Sequence, residues 1–139
     1  MTDGEIEEFL VGQVVGRVGC HHDGLTYVVP VIFAWEAGCA YAYTTEGLKV
    51  ELLRANPSAC FEVDQYLPGG SWRSVIIQGT YEELTGGDAE RTLQLLAERL
   101  ASPSRQPGNR EQRGGGRVPV AFRIRAGQVT GRRVDRTAV

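Results

Sequence analysis

The stretch CAYAYTTEGLKVELLRANPSACFEVD, residues 39–64, decides how this chain folds. CAYAYTT alternates small and aromatic side chains and ends in two threonines, which is the pattern of a strand. GLKVELLRAN reads as a helix with Leu48, Leu52 and Leu53 on one face, stopped by Asn56-Pro57. SACFEVDQY, residues 58–66, alternates again as a strand. Thr44, Thr45, Gly47 and Lys49 therefore gather where a strand hands over to a helix. Lys49 is the one lysine among fifteen basic side chains. A lysine in a first helical turn opposes the helix dipole by a few tenths of a kcal/mol, unless an anion is also present. Two hydroxyls, free backbone N–H groups, a flexible glycine and an ammonium together make a phosphate cradle. The plainer alternative is an exposed lysine balanced by Glu46 or Glu51.

The flanking sequence is rich in strands and tight turns. EIEEFLV, residues 5–11, suggests a short helix with Ile6, Phe9 and Leu10 on one stripe and Asp3 as N-cap. VVGRVGC is a strand, and Asp23-Gly24 signals a hairpin. LTYVVPVIFAWE, residues 25–36, is a β-branched strand with Pro30 in its middle. Proline has no N–H for a ladder, so this strand lies at an edge or is bulged there. SWRSVIIQGTYEEL, residues 71–84, is a long strand with a bulge or close approach at Gly79. Asp88 caps a helix over AERTLQLLAERL, with Leu93, Leu96, Ala97 and Leu100 on one face. Residues 102–117 contain no large apolar side chain and read as a mobile loop. VPVAFRIRAGQVTGRR gives two short strands about Ala126-Gly127. Six or seven mostly antiparallel strands with three helices make a mainly β fold, a small barrel with peripheral helices. The 139 residues suit one domain.

Composition narrows the function classes. The hydrophobic fraction is 42%, the charged fraction 23%, and the formal net charge −2. That argues against a general nucleic-acid binder. Cys20, Cys39 and Cys60 are odd in number and have no CxxC spacing, which points to reduced thiols in a cytoplasmic protein. No apolar run reaches the roughly 20 residues that span a bilayer. The acidic start MTDGEIEEFL does not suit a signal peptide.

The usual catalytic constellations are missing from the sequence. His21 and His22 are adjacent on a strand, so they point to opposite faces and do not converge on one metal ion. There is no GxSxG elbow, no GxxxxGK[ST] and no GxGxxG opening a helix. Two other stretches stand beside the Lys49 cradle. In VVPVIF, a proline-interrupted apolar strand leaves edge groups that a flat heterocycle or a partner chain could satisfy. In SWRSVIIQG, Ser71, Arg73 and Val75 face one way, and Trp72, Ser74 and Ile76 the other. Arginine suits an anion there, and tryptophan an aromatic ligand or a dimer seam.

In this order and spacing the three stretches resemble the flavin-binding split β-barrels related to pyridoxamine 5′-phosphate oxidase, nearest the nitroimidazole-resistance-type branch. The likeness runs through VGRVGCHHDGLTYVVPVIFAWEAG, CAYAYTTEGLKVELLRANPSACFEVD, SWRSVIIQGTYEEL and the tail FRIRAGQVTGRR. It implies a homodimer with FMN at the subunit interface. It implies that the backbone of Pro30, Val31, Ile32 and Phe33 lies against the isoalloxazine ring, and that Thr44, Thr45 and Lys49 hold the phosphate. Arg73 and Ser74 match positions near the flavin or its tail. The implied activity is FMN-dependent oxidoreduction of a small molecule; the alternative is a non-catalytic flavin, deazaflavin or haem-binding module on the same dimeric barrel. Tyr43 stands where the nitroimidazole-resistance proteins carry a histidine, so drug inactivation is not implied. Nor do membrane or nucleic-acid partners follow from the resemblance.

Overall fold

The computed structural model describes residues 1–101 and 118–136. The expected loop at 102–117 lies outside the described residues. The elements run α1 (Asp3–Gly12), β1 (Val15–His22), β2 (Leu25–Glu36), β3 (Cys39–Thr45), α2 (Leu48–Ala55), β4 (Ser58–Tyr66), β5 (Trp72–Leu84), α3 (Gly86–Arg99) and β6 (Pro119–Val134). The six strands close a barrel in the order β1-β2-β3-β6-β5-β4, and every neighbouring pair is antiparallel. Among the described residues, no helix is long and apolar enough to cross a membrane.

Strand alternation fills the barrel. Val18, Phe33, Phe61, Val63, Val75, Ile77, Phe122 and Ile124 are fully buried, and Phe33 meets Phe61 edge-on with ring centroids 5.0 Å apart. Helix α1 sets Ile6, Phe9 and Leu10 into the same core. Its N-terminus is closed by a capping box: Glu5 N–H donates to Thr2 Oγ1 at 3.1 Å, and Thr2 N–H donates to Glu5 Oε1 at 2.7 Å. The cap is thus Thr2 rather than Asp3, because only Thr2 has a glutamate three residues on.

Four further readings are corrected. Helix α3 starts at Gly86 with Thr85 at its N-cap position, so Asp88 lies in its first turn rather than capping it. Helix α3 buries Thr92, Leu95 and Leu96, while Leu93 is exposed. A polar residue can lead that stripe because Thr92 Oγ1 donates to the Asp88 carbonyl at 2.9 Å. In α2 the buried face is Val50, Leu52 and Leu53, with Leu48 exposed. The chain's last described strand is one strand of 16 residues rather than two. Its irregularity is a bulge: Gln78 pairs with Gln128 and Gly79 with Ala126, so Gly127 is the extra residue. Gly79 is still required there, since a Cβ would stand 2.4 Å from the Arg125 carbonyl oxygen.

A close approach inside the barrel is at Gly16, where a Cβ would lie 2.5 Å from the Phe61 ring. Gly16→Ala should therefore cost about 1–3 kcal/mol by overpacking. Urea denaturation checks it, and an unchanged midpoint would show that Phe61 yields freely.

Candidate functional site

The barrel is not zipped along its whole length. Strand β2 pairs with β1 over Leu25–Ile32 but with β3 only over Phe33–Glu36. Continuing that second register would set Pro30–Ile32 opposite Tyr43–Thr45, yet no pairing is made there, although Tyr43–Thr45 stay paired to β6. A split opens between the two strands. Phe33 N–H donates to the Val14 carbonyl at 2.9 Å, toward β1. By alternation, Val31 also turns its backbone groups toward β1, and Pro30 and Ile32 turn theirs toward the split. Pro30 thus sits where a missing N–H costs no ladder bond. Side chains follow the same alternation: Val31 and Phe33 are buried, and Pro30 and Ile32 are exposed. Phe33 is buried and its N–H is given to Val14, so it offers the split neither its side chain nor that donor.

Lys49 reaches the β3 edge of this split. Its Nζ donates to Thr44 Oγ1. Thr44 lies on the inward face of β3 with Ala40 and Ala42, whereas Thr45 shares the outward face of Tyr41 and Tyr43. The two threonines do not converge side chain to side chain. Tyr43 packs with Tyr41 against Ala34, Leu95 and Leu96, so it serves the seat of α3. Helix α2 begins at Gly47 without a side-chain cap, which leaves its first backbone N–H groups to solvent or a ligand.

The electrostatics of Lys49 suit an anion. Among the described residues Lys49 forms no ion pair. Glu46, a candidate to balance it, is held by Arg54 through two bonds of 2.9 and 2.7 Å. Burial pushes the Lys49 ammonium below the ordinary lysine value, and the neighbouring Cys20 opposes this. Burial likewise raises the Cys20 thiol, and Lys49 lowers it. A half-buried cation without a carboxylate is unfavourable alone and favourable beside an anion.

Arg73 and Ser74 are not brought to this place within one chain. They lie on β5, which β4 and β1 separate from β2, and β6 separates from β3. Arg73 turns inward, donates to Gln65 Oε1 at 2.6 Å and sits over the Phe9 ring at 5.2 Å. Ser74 turns outward between Asp64 and Arg132.

That outward face is a second feature, and sequence alternation could have assembled it. Register places Pro30, Arg17, Glu62, Ile76 and Thr130 in one row across five strands. Val15, Val28, Ile32 and Ile76 are exposed on it, Val28 by 60%. A groove of about 840 Å³ crosses it, lined in part by Gly19, His21, Val28, Cys60, Gln78 and Gln128, and it includes none of the split's residues. Arg17 bridges Glu62 at 3.2 Å and Asp64 at 3.1 Å. Glu62 is nevertheless pushed up to about 7, by burial first and by Asp64 beside it. At the edge of this face His21 Nδ1 lies 2.8 Å from Thr26 Oγ1.

Comparison with known proteins identifies the family. The sequence profile of the pyridoxamine 5′-phosphate oxidase family matches residues 2–133. The chain belongs to that family. A FAD-binding protein from Mesorhizobium loti is 31% identical, with 98% of this chain and 96% of that one aligned at a TM-score of 0.82. A Bacteroides thetaiotaomicron protein, provisionally described as a 5-nitroimidazole antibiotic resistance protein, shares the fold at 20% identity, covering 94% of this chain and 84% of that one with a TM-score of 0.73. An uncharacterised protein of Rhizobium meliloti strain 1021 is 26% identical over 84 residues, 60% of this chain. That match spans 56% of the curated relative's length.

The single lysine permits a direct check of the site's charge. With its folded value lowered, the unfolded chain binds more protons between that value and the ordinary one. Lys49 therefore makes stability rise with pH across this window. The one lysine ε-carbon resonance should titrate below free lysine by NMR; a midpoint at or above the free value would remove the desolvated cation.

Proposed function

We propose that this protein is an FMN-binding flavoprotein, an oxidoreductase acting on a small molecule at the interface of a homodimer. The observation that carries this is Lys49: a half-buried ammonium, positioned by Thr44, with no carboxylate partner among the described residues. A phosphate there would gain the Lys49 charge, the Thr44 hydroxyl and the uncapped N–H groups of α2. Family membership and the likeness to a FAD-binding protein support a flavin. FMN is the finer choice because one phosphate matches one ammonium and one helix start.

The split supplies the rest. Pro30 and Ile32 turn backbone groups into it, so a flat ring could lie along Pro30–Phe33 and accept or donate to them. A bound flavin would bring hydride or electron transfer through its N5. The chain's own part is to fix the phosphate, align the ring and exclude water. Thr45 can contribute through its backbone at the split rather than beside Lys49. Ser74 belongs to the partner-facing surface, and Arg73 supports that wall from beneath.

The homodimer rests on the outward face. Exposed Val15, Val28, Ile32 and Ile76 on adjoining strands form an apolar surface that a two-fold copy could cover. Glu62, ionising near neutrality, takes up a proton more readily than an ordinary glutamate, which lowers the cost of covering it.

The purified protein should carry a yellow chromophore, or bind added FMN, and the mass of the released cofactor separates FMN from FAD. A colourless protein that ignores both would sink the flavin reading. Lys49→Ala should weaken FMN by about 1.5–3 kcal/mol, the range for hydrogen bonds to charged groups. Affinity should also fall as pH rises through the lowered Lys49 value. For the dimer, Ile76→Glu sets a charge beside Glu62 and should give monomers in analytical ultracentrifugation; a wild-type monomer at micromolar concentration would refute the assembly.

A further inference from the structure

We propose that Arg54 is a positioning residue for the anion site, holding the Glu46 carboxylate away from Lys49 so that Lys49 stays free for phosphate. This rests on the phosphate role of Lys49 given above.

The geometry is specific. Glu46 lies three residues before Lys49, at the entrance to α2. Oppositely charged side chains at that spacing meet readily on a helix or its first turn. They do not meet here. Arg54 NH1 and NH2 take the two Glu46 oxygens at 2.9 and 2.7 Å, and its Nε and NH2 take the two Glu83 oxygens at 2.8 Å each. Glu83 is fixed in turn, because Tyr81 Oη donates to it at 2.8 Å and the Tyr81 ring packs against Phe122 with centroids 5.3 Å apart. The clamp is therefore tied into the barrel core. Only a planar, multiply donating guanidinium can hold two carboxylates this way; an ammonium would hold them as a point charge.

The consequence falls on Lys49. Among the described residues no carboxylate pairs with its ammonium, and the Cys20 thiol is its titratable neighbour. Without Arg54, Glu46 would lose its partner three residues from an unpaired cation. An ion pair between them would then compete with any incoming phosphate. Specific acceptance of an anion here thus depends on a residue that would not touch the anion.

The test uses the full chain with 13C-labelled lysine, whose one ε-carbon resonance reports Lys49 alone, together with an FMN titration. In the wild type FMN should shift that resonance. Arg54→Gln should raise the Lys49 titration midpoint toward free lysine and weaken FMN about tenfold. Adding Glu46→Gln to that variant should restore both. Glu46→Gln alone removes no core packing and should bind FMN as well as wild type or a few-fold better, which keeps the test open should Arg54→Gln misfold. The proposal is overturned if Arg54→Gln leaves the Lys49 midpoint in place, if its FMN loss is not rescued by Glu46→Gln, or if Glu46→Gln alone weakens FMN. Should FMN fail to move the lysine resonance in the wild type, the phosphate role of Lys49 falls first and the proposal falls with it.

Discussion

The ladder between β2 and β3 stops at Phe33 and Ala42, and the rest of the site depends on that stop. Had the pairing run on, Pro30–Ile32 and Tyr43–Thr45 would have satisfied each other and left nothing for a ligand. Proline at position 30 is one reason it cannot run on, since it has no N–H to give on the side facing β3. The threonines beyond Tyr43 remain anchored by β6 instead. A closed barrel thereby keeps one open seam without losing its core. The cost of the open backbone is met by whatever fills the seam.

Charge is sorted around this seam rather than spread. Arg54 takes Glu46 and Glu83, Arg123 and Arg125 share Glu82, and Arg17 takes Glu62 and Asp64. These pairs lie on partly exposed surfaces, where each contributes little to stability. Their effect is to occupy carboxylates. Among the described residues Lys49 is left without a counter-charge, in a place where desolvation favours an anion beside it.

Much of this was legible in the sequence because local physics dictated it. Alternation gave the strands, Asp23-Gly24 gave the first hairpin with Asp23 and Gly24 both at positive φ, and Pro30 marked the unpaired edge. Lys49 stood out through its opposition to the helix dipole. What escaped was tertiary. The buried stripe of α3 was read one position out of phase, since a bonded threonine can be as buried as a leucine. The distance in the fold between Arg73 and the split follows from strand order, which spacing along the chain does not encode. The partner of Glu46 could not be chosen from sequence either, because Lys49 and Arg54 were both within reach and the bonds that tie Arg54 to Glu83 on β5 decide between them.

The position of β6 has a consequence for how the protein is made. Strand β3 is complete by Thr45 and β5 by Leu84, yet the strand that joins them, β6, spans Pro119–Val134. Until those residues leave the ribosome, β3 and β5 each present a bare edge to the cell. Pairings such as Cys39 with Arg125 are among the most distant in the chain, and distant pairings form slowly. The interval between synthesis of β5 and closure by β6 is therefore when the chain is most open to mispairing with other strands.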